Sequence, residues 1–577
     1  MARDKRVSSG AAHVVTIRKR VGEREYRTHL IRRSYREGGK VHNQTIANIT
    51  HLGEEKIETL RRALNGERLV NFDDTLTITR TLPHGHVAAV LAMARTLSVE
   101  RLIDPTPSRK RSLAMALICQ RVLCADSKLA SVRSLENSTI AQELDVVGAD
   151  EDDLYAALDY LGERQSGIEE RLAGRHLTDG TLVLYDISSS YFEGHTCPIA
   201  IRGYSRDKRR GSLQIIYGLL CDRHGVPIAV EVFKGNLLDH QTVKAQIEKI
   251  KQRFGIQRVV LVSDRGMVTQ ANLDALRDGL LDWITGLKAP QLKALRDEGK
   301  LSASLFDECN IAQIDGHQEY PGERLIVCRN PLLAAERVRK REALLVATES
   351  KFLPIQERVR KGTLRGEDKI GLAVGAVRNK HKVGKHFDLI IEDDRFAFSR
   401  KTEQIAREAA TDGLYILRTS LTADAMDSPD VVRSYKNLQT VERAFRTLKS
   451  VDLEIRPIYH RLEKRVRAHV FSCMLSYYLE YHLRKAWESL MFADEDHQVS
   501  DNPVAPPLRS PAALKKERTK RTESDEVVHS FQTLLEHLAT LTRCTMTVAG
   551  VAGVEKLSAP TALQARALEL LRKAPAA

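Results

Sequence analysis

Three carboxylates sit in settings that suit phosphodiester chemistry. Asp186 closes the apolar run Thr181-Leu-Val-Leu-Tyr-Asp186, Asp264 follows the run Val259 to Val262, and Glu442 lies in a stretch otherwise rich in Arg and Lys. Acids on unlike elements can converge only at one end of a sheet, and clustered carboxylate oxygens suit Mg²⁺ or Mn²⁺ better than zinc. Two such ions, about 3.5 to 4 Å apart, would activate a water or a 3′-hydroxyl and stabilise the leaving oxygen of a phosphodiester. Taken singly, an Asp after an apolar strand is more often a turn or cap residue, and Ser188, Ser189 and Ser190 favour that plainer reading of Asp186. An aspartyl-nucleophile phosphotransferase also places an Asp after such a strand, but it wants a second acid two residues on, where Ser188 stands.

Tyr435, Glu442 and Lys449 recur at seven-residue steps, close to two helical turns, which predicts one stripe of a helix. Leu438, Val441, Phe445 and Leu448 form an apolar stripe beside it that would anchor the helix to a core. Arg443 and Arg446 flank the carboxylate, an arrangement in which one acid holds metal while its neighbours hold phosphate. An amphipathic surface helix with Glu–Arg pairs is the alternative. Arg206, Lys208, Arg209 and Arg210 form a basic cluster that tracks flanking DNA or solvates a loop.

The elements that would position these residues follow from periodicity. Residues 1–75 contain alternating runs, His13 to Val21, Tyr26 to Tyr35 and Lys40 to Ile49, broken by Val21-Gly22-Glu23 and Glu37-Gly38-Gly39, so a small basic β-rich head is predicted. Three- and four-residue apolar steps over 76–175 predict a helical, DNA-binding domain. Residues 176–289 and 411–487 read as a mixed α/β core, in the order strand, hairpin pair, helix, strand, helix, with a later strand and a long helical stretch. The intervening 290–410 reads as a β-rich insertion, with strands at Glu323 to Cys328, Ala343 to Thr348, Gly371 to Val377 and Phe387 to Ile391. Residues 488–577 read as a linker and a helical tail, with a short helix at Val527 to Leu541.

Composition narrows the class. At 577 residues, with 42% hydrophobic and 29% charged residues, the chain is long enough for several domains and matches a folded enzyme rather than a fibrous or disordered chain. Its 90 Lys and Arg outnumber 76 Asp and Glu, so the net charge of +14 attracts polyanions, nucleic acid foremost. The eight cysteines show no zinc spacing and read as reduced thiols. No apolar run approaches the ~18 residues that cross a bilayer, and the start MARDKRVSSG has no apolar signal core, so a cytoplasmic protein without a membrane is expected.

The run Tyr435-Lys-Asn-Leu-Gln-Thr-Val-Glu442-Arg-Ala-Phe-Arg-Thr-Leu-Lys449 resembles the Y-x2-R-x3-E-x6-K signature of bacterial DDE transposases of the insertion-sequence-four superfamily. Tyr435, Glu442 and Lys449 match it, and Leu438 stands at the Arg position. Tyr185-Asp186-Ile-Ser188 resembles the first-aspartate motif and Ser263-Asp264-Arg265-Gly266-Met267 the second; Gly203 to Asp207, Glu231 to Asp239 and Arg456-Pro457-Ile-Tyr459-His460 are similar to supporting segments of the group. The resemblance implies an RNase H-like catalytic core carrying an insertion, with Asp186, Asp264 and Glu442 as catalytic metal ligands for two Mg²⁺ or Mn²⁺ ions. It further implies a transposase that cuts the ends of its own element and joins them to target DNA, as a homodimer on terminal inverted repeats at the bacterial nucleoid. Tyr435, Lys449, Arg443 and Arg446 would then contact DNA. In hairpin-forming relatives an aromatic side chain from the insertion holds a flipped base; Trp283 precedes the insertion here and Trp487 follows it, leaving that chemistry open. A catalytically inactive or domesticated DNA-binding derivative is the alternative.

Overall fold

The computed structural model describes residues 9–37, 39–67, 76–207, 209, 211–267, 269–301, 306–378, 380–496, 502–548 and 551–575. They fall into two compact units, Met1–Thr81 with Arg543–Ser558 and Leu82–Thr542 with Ala559–Ala577.

In the first unit, β1 (Ser9–Val21), β2 (Arg24–Glu37) and β3 (Lys40–Asn48) form an antiparallel meander. Gly22 and Gly39 turn with φ of 64° and 81°, a backbone region that glycine enters without steric cost. The helix Glu54–Leu64 covers one face, burying Ile57. β4 (Leu76–Pro83) pairs with a hairpin made by Thr542–Val548 and Val551–Leu557. The predicted β-rich head is therefore present, and β3 lies entirely exposed.

The second unit is built on a nine-stranded sheet. Its strands are β5 (Thr181–Tyr191), β6 (Ile201–Arg202), β7 (Leu213–Asp222), β8 (Pro227–Lys234), β9 (Val259–Ser263), β10 (Asp282–Gly286), β11 (Ile311–Asp315), β12 (Arg324–Arg329) and β15 (Leu414–Thr419), while β13 (Phe387–Glu392) and β14 (Arg395–Arg400) pair apart as a hairpin. The order is β11-β12-β15-β10-β9-β5-β7-β6, with β8 also on β7. β5, β9 and β10 run parallel, whereas β7 is antiparallel to β5 and β8 is antiparallel to β7. Central β5 and β9 are covered on both faces, which is why Leu182–Tyr185 and Val259–Val262 are continuous apolar runs rather than alternations. The 24-residue helix Glu463–Ala486 is buried nearly all round from Ala468 to Glu480, because Arg109–Leu123, Glu151–His176 and β8 enclose it.

Three expectations change. Helices predicted for a separate domain over 76–175 share one hydrophobic core with the sheet: Leu91, Leu117 and Leu158 belong to the same cluster as Val183, Leu219 and Val262. Periodicity shows that a helix has an apolar face but not which element covers it.

The insertion is mostly helical, not β-rich. Ala343 to Thr348 lies inside the 30-residue helix Pro331–Arg360, and Gly371 to Val377 inside Glu367–Arg378. A short apolar run does not distinguish strand from buried helix, and here Glu336 with Arg339 and Lys340, and Glu357 with Arg360 and Lys361, pair along the helix. The insertion closes its own core around Phe352, Phe387 and Phe396, while β11 and β12 extend the central sheet across the expected boundary.

Residues 488–577 are not a linker with a tail. Helices Phe531–Ala539 and Ala562–Arg572 pack on the core, and the Trp487 indole N–H donates to the Ala567 carbonyl at 3.0 Å. Val504 is buried, and the Lys436 ammonium donates to the Val504 and Ala505 carbonyls, each at 3.0 Å.

Candidate active site

Asp186 does not end its strand. β5 continues to Tyr191, with Asp186 opposite Leu219 and Ser189 opposite Ile216 of β7. The serines that suggested a turn are strand residues, two of them with hydroxyls seen to be satisfied: Ser190 bonds the Tyr217 hydroxyl at 3.0 Å, and Ser189 accepts the Arg206 backbone N–H at 3.0 Å. β9 does end where expected, and its last residue, Ser263, is in register with Tyr185. Asp186 and Asp264 are the next residues along two adjacent parallel strands, which lie about 4.8 Å apart.

Glu442 arrives from the other direction. The helix Leu438–Arg446 buries Val441, Ala444 and Phe445, with Phe445 edge-on to Tyr217 at 5.7 Å, and packs against β5. Its remaining faces hold Glu442. Asp186, Asp264 and Glu442 line one cavity of about 300 Å³ together with Tyr435, Leu438 and Asn330. The Tyr435 hydroxyl donates to Asp264 Oδ1 at 3.3 Å.

Burial pushes the Asp186 carboxyl up to about 7, and the like charges of Asp264 and Glu442 add to this; the Ile187 N–H and the Arg206 guanidinium act in the opposite sense. Lys436 also lines the cavity but spends its ammonium on the Val504 and Ala505 carbonyls, so among the described residues no cation forms an ion pair with Asp186, leaving a deficit of positive charge there. An all-oxygen donor set with that deficit fits a hard divalent cation. Among the described residues, no three His, Cys, Asp or Glu side chains stand at metal-ligand spacing, so the carboxylates face one space without forming a tight cluster.

The predicted cations are distributed differently. Tyr435 and Glu442 do not share one continuous helix: Ser428–Lys436 ends before Asn437, and Lys449 lies in a π-helical turn, Thr447–Val451. The seven-residue spacing consequently brings Tyr435 and Glu442 to the same cavity but turns Lys449 to Asp207, 3.0 Å away. Asp207 also binds Arg456 at 2.5 Å and accepts the Tyr191 N–H at 3.0 Å. Arg206 is held by Asp239 at 2.6 Å, and Arg209 by Glu193 at 3.2 Å while lying over the Tyr191 ring. Lys208 and Arg210 lie outside the described residues. Arg443 and Arg446 line a separate cavity of about 690 Å³ with Tyr477, Tyr481 and Phe492.

Asp207, Asp239 and Arg456 had no role assigned from sequence. Each sits in a segment with family likeness, but no periodicity connects residues so far apart in the chain, and only the fold reveals that Asp207 joins Lys449 to Arg456.

Residues 178–479 match the transposase DDE domain family, and residues 14–71 match the N-terminal domain of IS1634 family transposases. No curated protein matches the chain. Among solved structures, it is similar to the piggyBac transposase synaptic complex with hairpin DNA, determined by cryo-EM. The identity is 9% over 79% of this chain and 76% of that one, with a TM-score of 0.33, too slight a likeness to bear on mechanism.

Proposed function

The chain belongs to the transposase DDE domain family, whose match spans residues 178–479, and is a metal-dependent DNA transposase; we propose that Asp186, Asp264 and Glu442 are its catalytic carboxylates. The observation that carries the assignment is their meeting on one cavity from two adjacent parallel strands and a crossing helix. The RNase H-like reading of the core is supported by the order β8-β7-β5-β9-β10, with an antiparallel hairpin on one side and three parallel strands on the other. Membership of the insertion-sequence-four superfamily is supported by the spacing of Tyr435, Glu442 and Lys449.

In this reading the three carboxylates hold two Mg²⁺ or Mn²⁺ ions, which when bound activate a water or 3′-hydroxyl and stabilise the leaving oxygen. Tyr435 fixes the orientation of Asp264 through its hydrogen bond, and Arg206 offsets charge beside Asp186. Asp207 holds Lys449 and Arg456 together as a fixed pair of cations. Arg443, Arg446 and Arg209 contact the DNA backbone, and the basic head engages the terminal inverted repeats. The protein acts as a homodimer on DNA in the bacterial cytoplasm; no helix among the described residues is long and apolar enough to cross a membrane.

Asp186→Asn, Asp264→Asn and Glu442→Gln should each abolish cleavage of element-end DNA while leaving its binding within a few fold, because a neutral amide is a poor Mg²⁺ ligand. Full cleavage by any one variant removes that residue from the catalytic set.

A further inference from the structure

A third cavity, of about 630 Å³, opens between the helical layer and the segment that follows the Glu442 helix. Its lining includes Arg121, Lys128, Tyr155, His460, Arg461 and Arg465. Lys128 is only 7% exposed and has no hydrogen-bond or ion-pair partner among the described residues. A buried ammonium without a counter-ion is costly, because the water it gave up has not been replaced. Arg121 lines the same cavity, and burial together with that guanidinium holds the Lys128 ammonium down at about 7.

The surrounding groups deepen the deficit. Arg121 is buried and reaches the Leu453 carbonyl at 3.3 Å rather than a carboxylate. Arg461 is exposed and has no partner among the described residues. Arg465 lies over the Tyr155 ring and is held by Asp159 at 3.2 Å. His460 and His469 are both driven toward the neutral form by burial and by Lys128. The acids at the cavity, Asp126 and Glu454, are engaged elsewhere or face solvent: Asp126 accepts the Ser134 hydroxyl at 2.9 Å, and Glu454 is exposed. The nine-residue helix Lys128–Glu136 starts at this cavity, so its positive end adds to the same field.

We propose that this cavity binds a backbone phosphate of the transposase's DNA, with Lys128 at its floor and Arg461 at its mouth. The DNA source follows from continuity with the carboxylate site. Arg456 lines the same cavity and binds Asp207, which holds Lys449 and adjoins Arg206 beside Asp186. This relay of charges links the cavity to the carboxylate site, so DNA held at the carboxylates is the polyanion the proposal assigns to it. The proposal rests on the transposase reading above, but the two fail separately, since cleavage tests the carboxylates and DNA affinity tests the cavity.

The test uses the full chain and a duplex oligonucleotide of arbitrary sequence, with affinity measured by fluorescence anisotropy across a salt series. Loss of one phosphate contact lowers the slope of log affinity against log salt by about 0.9, which amounts to roughly eight-fold in affinity near 0.1 M salt. Lys128→Met should show that loss while its DNA-free melting temperature stays level or rises, since an unpaired buried charge has gone. A residue with a purely structural role would lower the melting temperature and leave the slope alone. Arg461→Ala, at an exposed position, should show a similar slope change and decides the matter should Lys128→Met not fold. Wild-type slope and affinity in both variants would overturn the proposal. So would a melting temperature raised by potassium phosphate in wild type but not in Lys128→Met while both variants bind DNA normally, because the cavity would then take a free anion.

Discussion

Asp207→Asn removes a charge that two cations share. The Asp207 side chain is 3% exposed, and those of Lys449 and Arg456 are 12% and 22% exposed. Without the carboxylate these cations face each other with little water, and burial already lowers the Lys449 ammonium from its usual value. Breaking a buried ion pair from one side costs about 3–5 kcal/mol. Arg456 keeps its place over the Tyr191 ring, so a cost near the lower end, about 3 kcal/mol, is expected. Lys449→Met is milder, about 1–2 kcal/mol, because Asp207 retains Arg456 and the Tyr191 N–H. The double variant should be less damaged than the sum by roughly 1–2 kcal/mol, since the introduced amide then faces a single cation. Urea unfolding followed by tryptophan fluorescence measures this, because Trp283 and Trp487 are both buried in the same unit. A cost below about 1 kcal/mol for Asp207→Asn, or strict additivity, would refute the shared pairing. The same variants decide what Lys449 does on DNA: if Asp207 neutralises it, Lys449→Met leaves the salt slope unchanged, whereas a slope lower by about 0.9 assigns it a phosphate.

Acid should destabilise the second unit through His460, which burial first, then Lys128, Arg465 and Arg121, hold down at about 3. Its neutral form belongs to the fold, so its contribution is complete above the unfolded value near 6.5 and is lost as pH falls from there toward 3, by up to about 5 kcal/mol. The urea midpoint of His460→Gln should fall less steeply than wild type between pH 7.5 and pH 5, and parallel curves would exclude this origin. Deleting residues 491–577 should abolish cooperative unfolding, because it strips Phe531, Leu534, Leu538 and Leu571 from the core around Trp487. A truncated chain that kept the wild-type urea midpoint would show that the tail is dispensable.

That Asp186, Asp264 and Glu442 line one cavity was foreshadowed in the sequence, because each acid sits in a local setting that the proposed metal-assisted chemistry would need. An acid closing an apolar run and an acid on an amphipathic helix leave marks within a few residues of themselves, and so do the head strands, with Gly22 and Gly39 at their turns. Where a local pattern admits two answers, tertiary packing chose. Ser189 and Ser190 carry on β5 because the Arg206 N–H and Tyr217 are there to meet their hydroxyls. Ala343 to Thr348 becomes helix because it lies within a longer helical stretch with its own ion pairs. The long-range partners of buried charges lay beyond sequence altogether. Lys449 meets Asp207 and Lys128 meets no acid, although both are lysines in basic, partly apolar stretches. Periodicity records which face of an element is apolar; which charges are buried together depends on residues hundreds of positions apart, and only the closed fold brings them to one place.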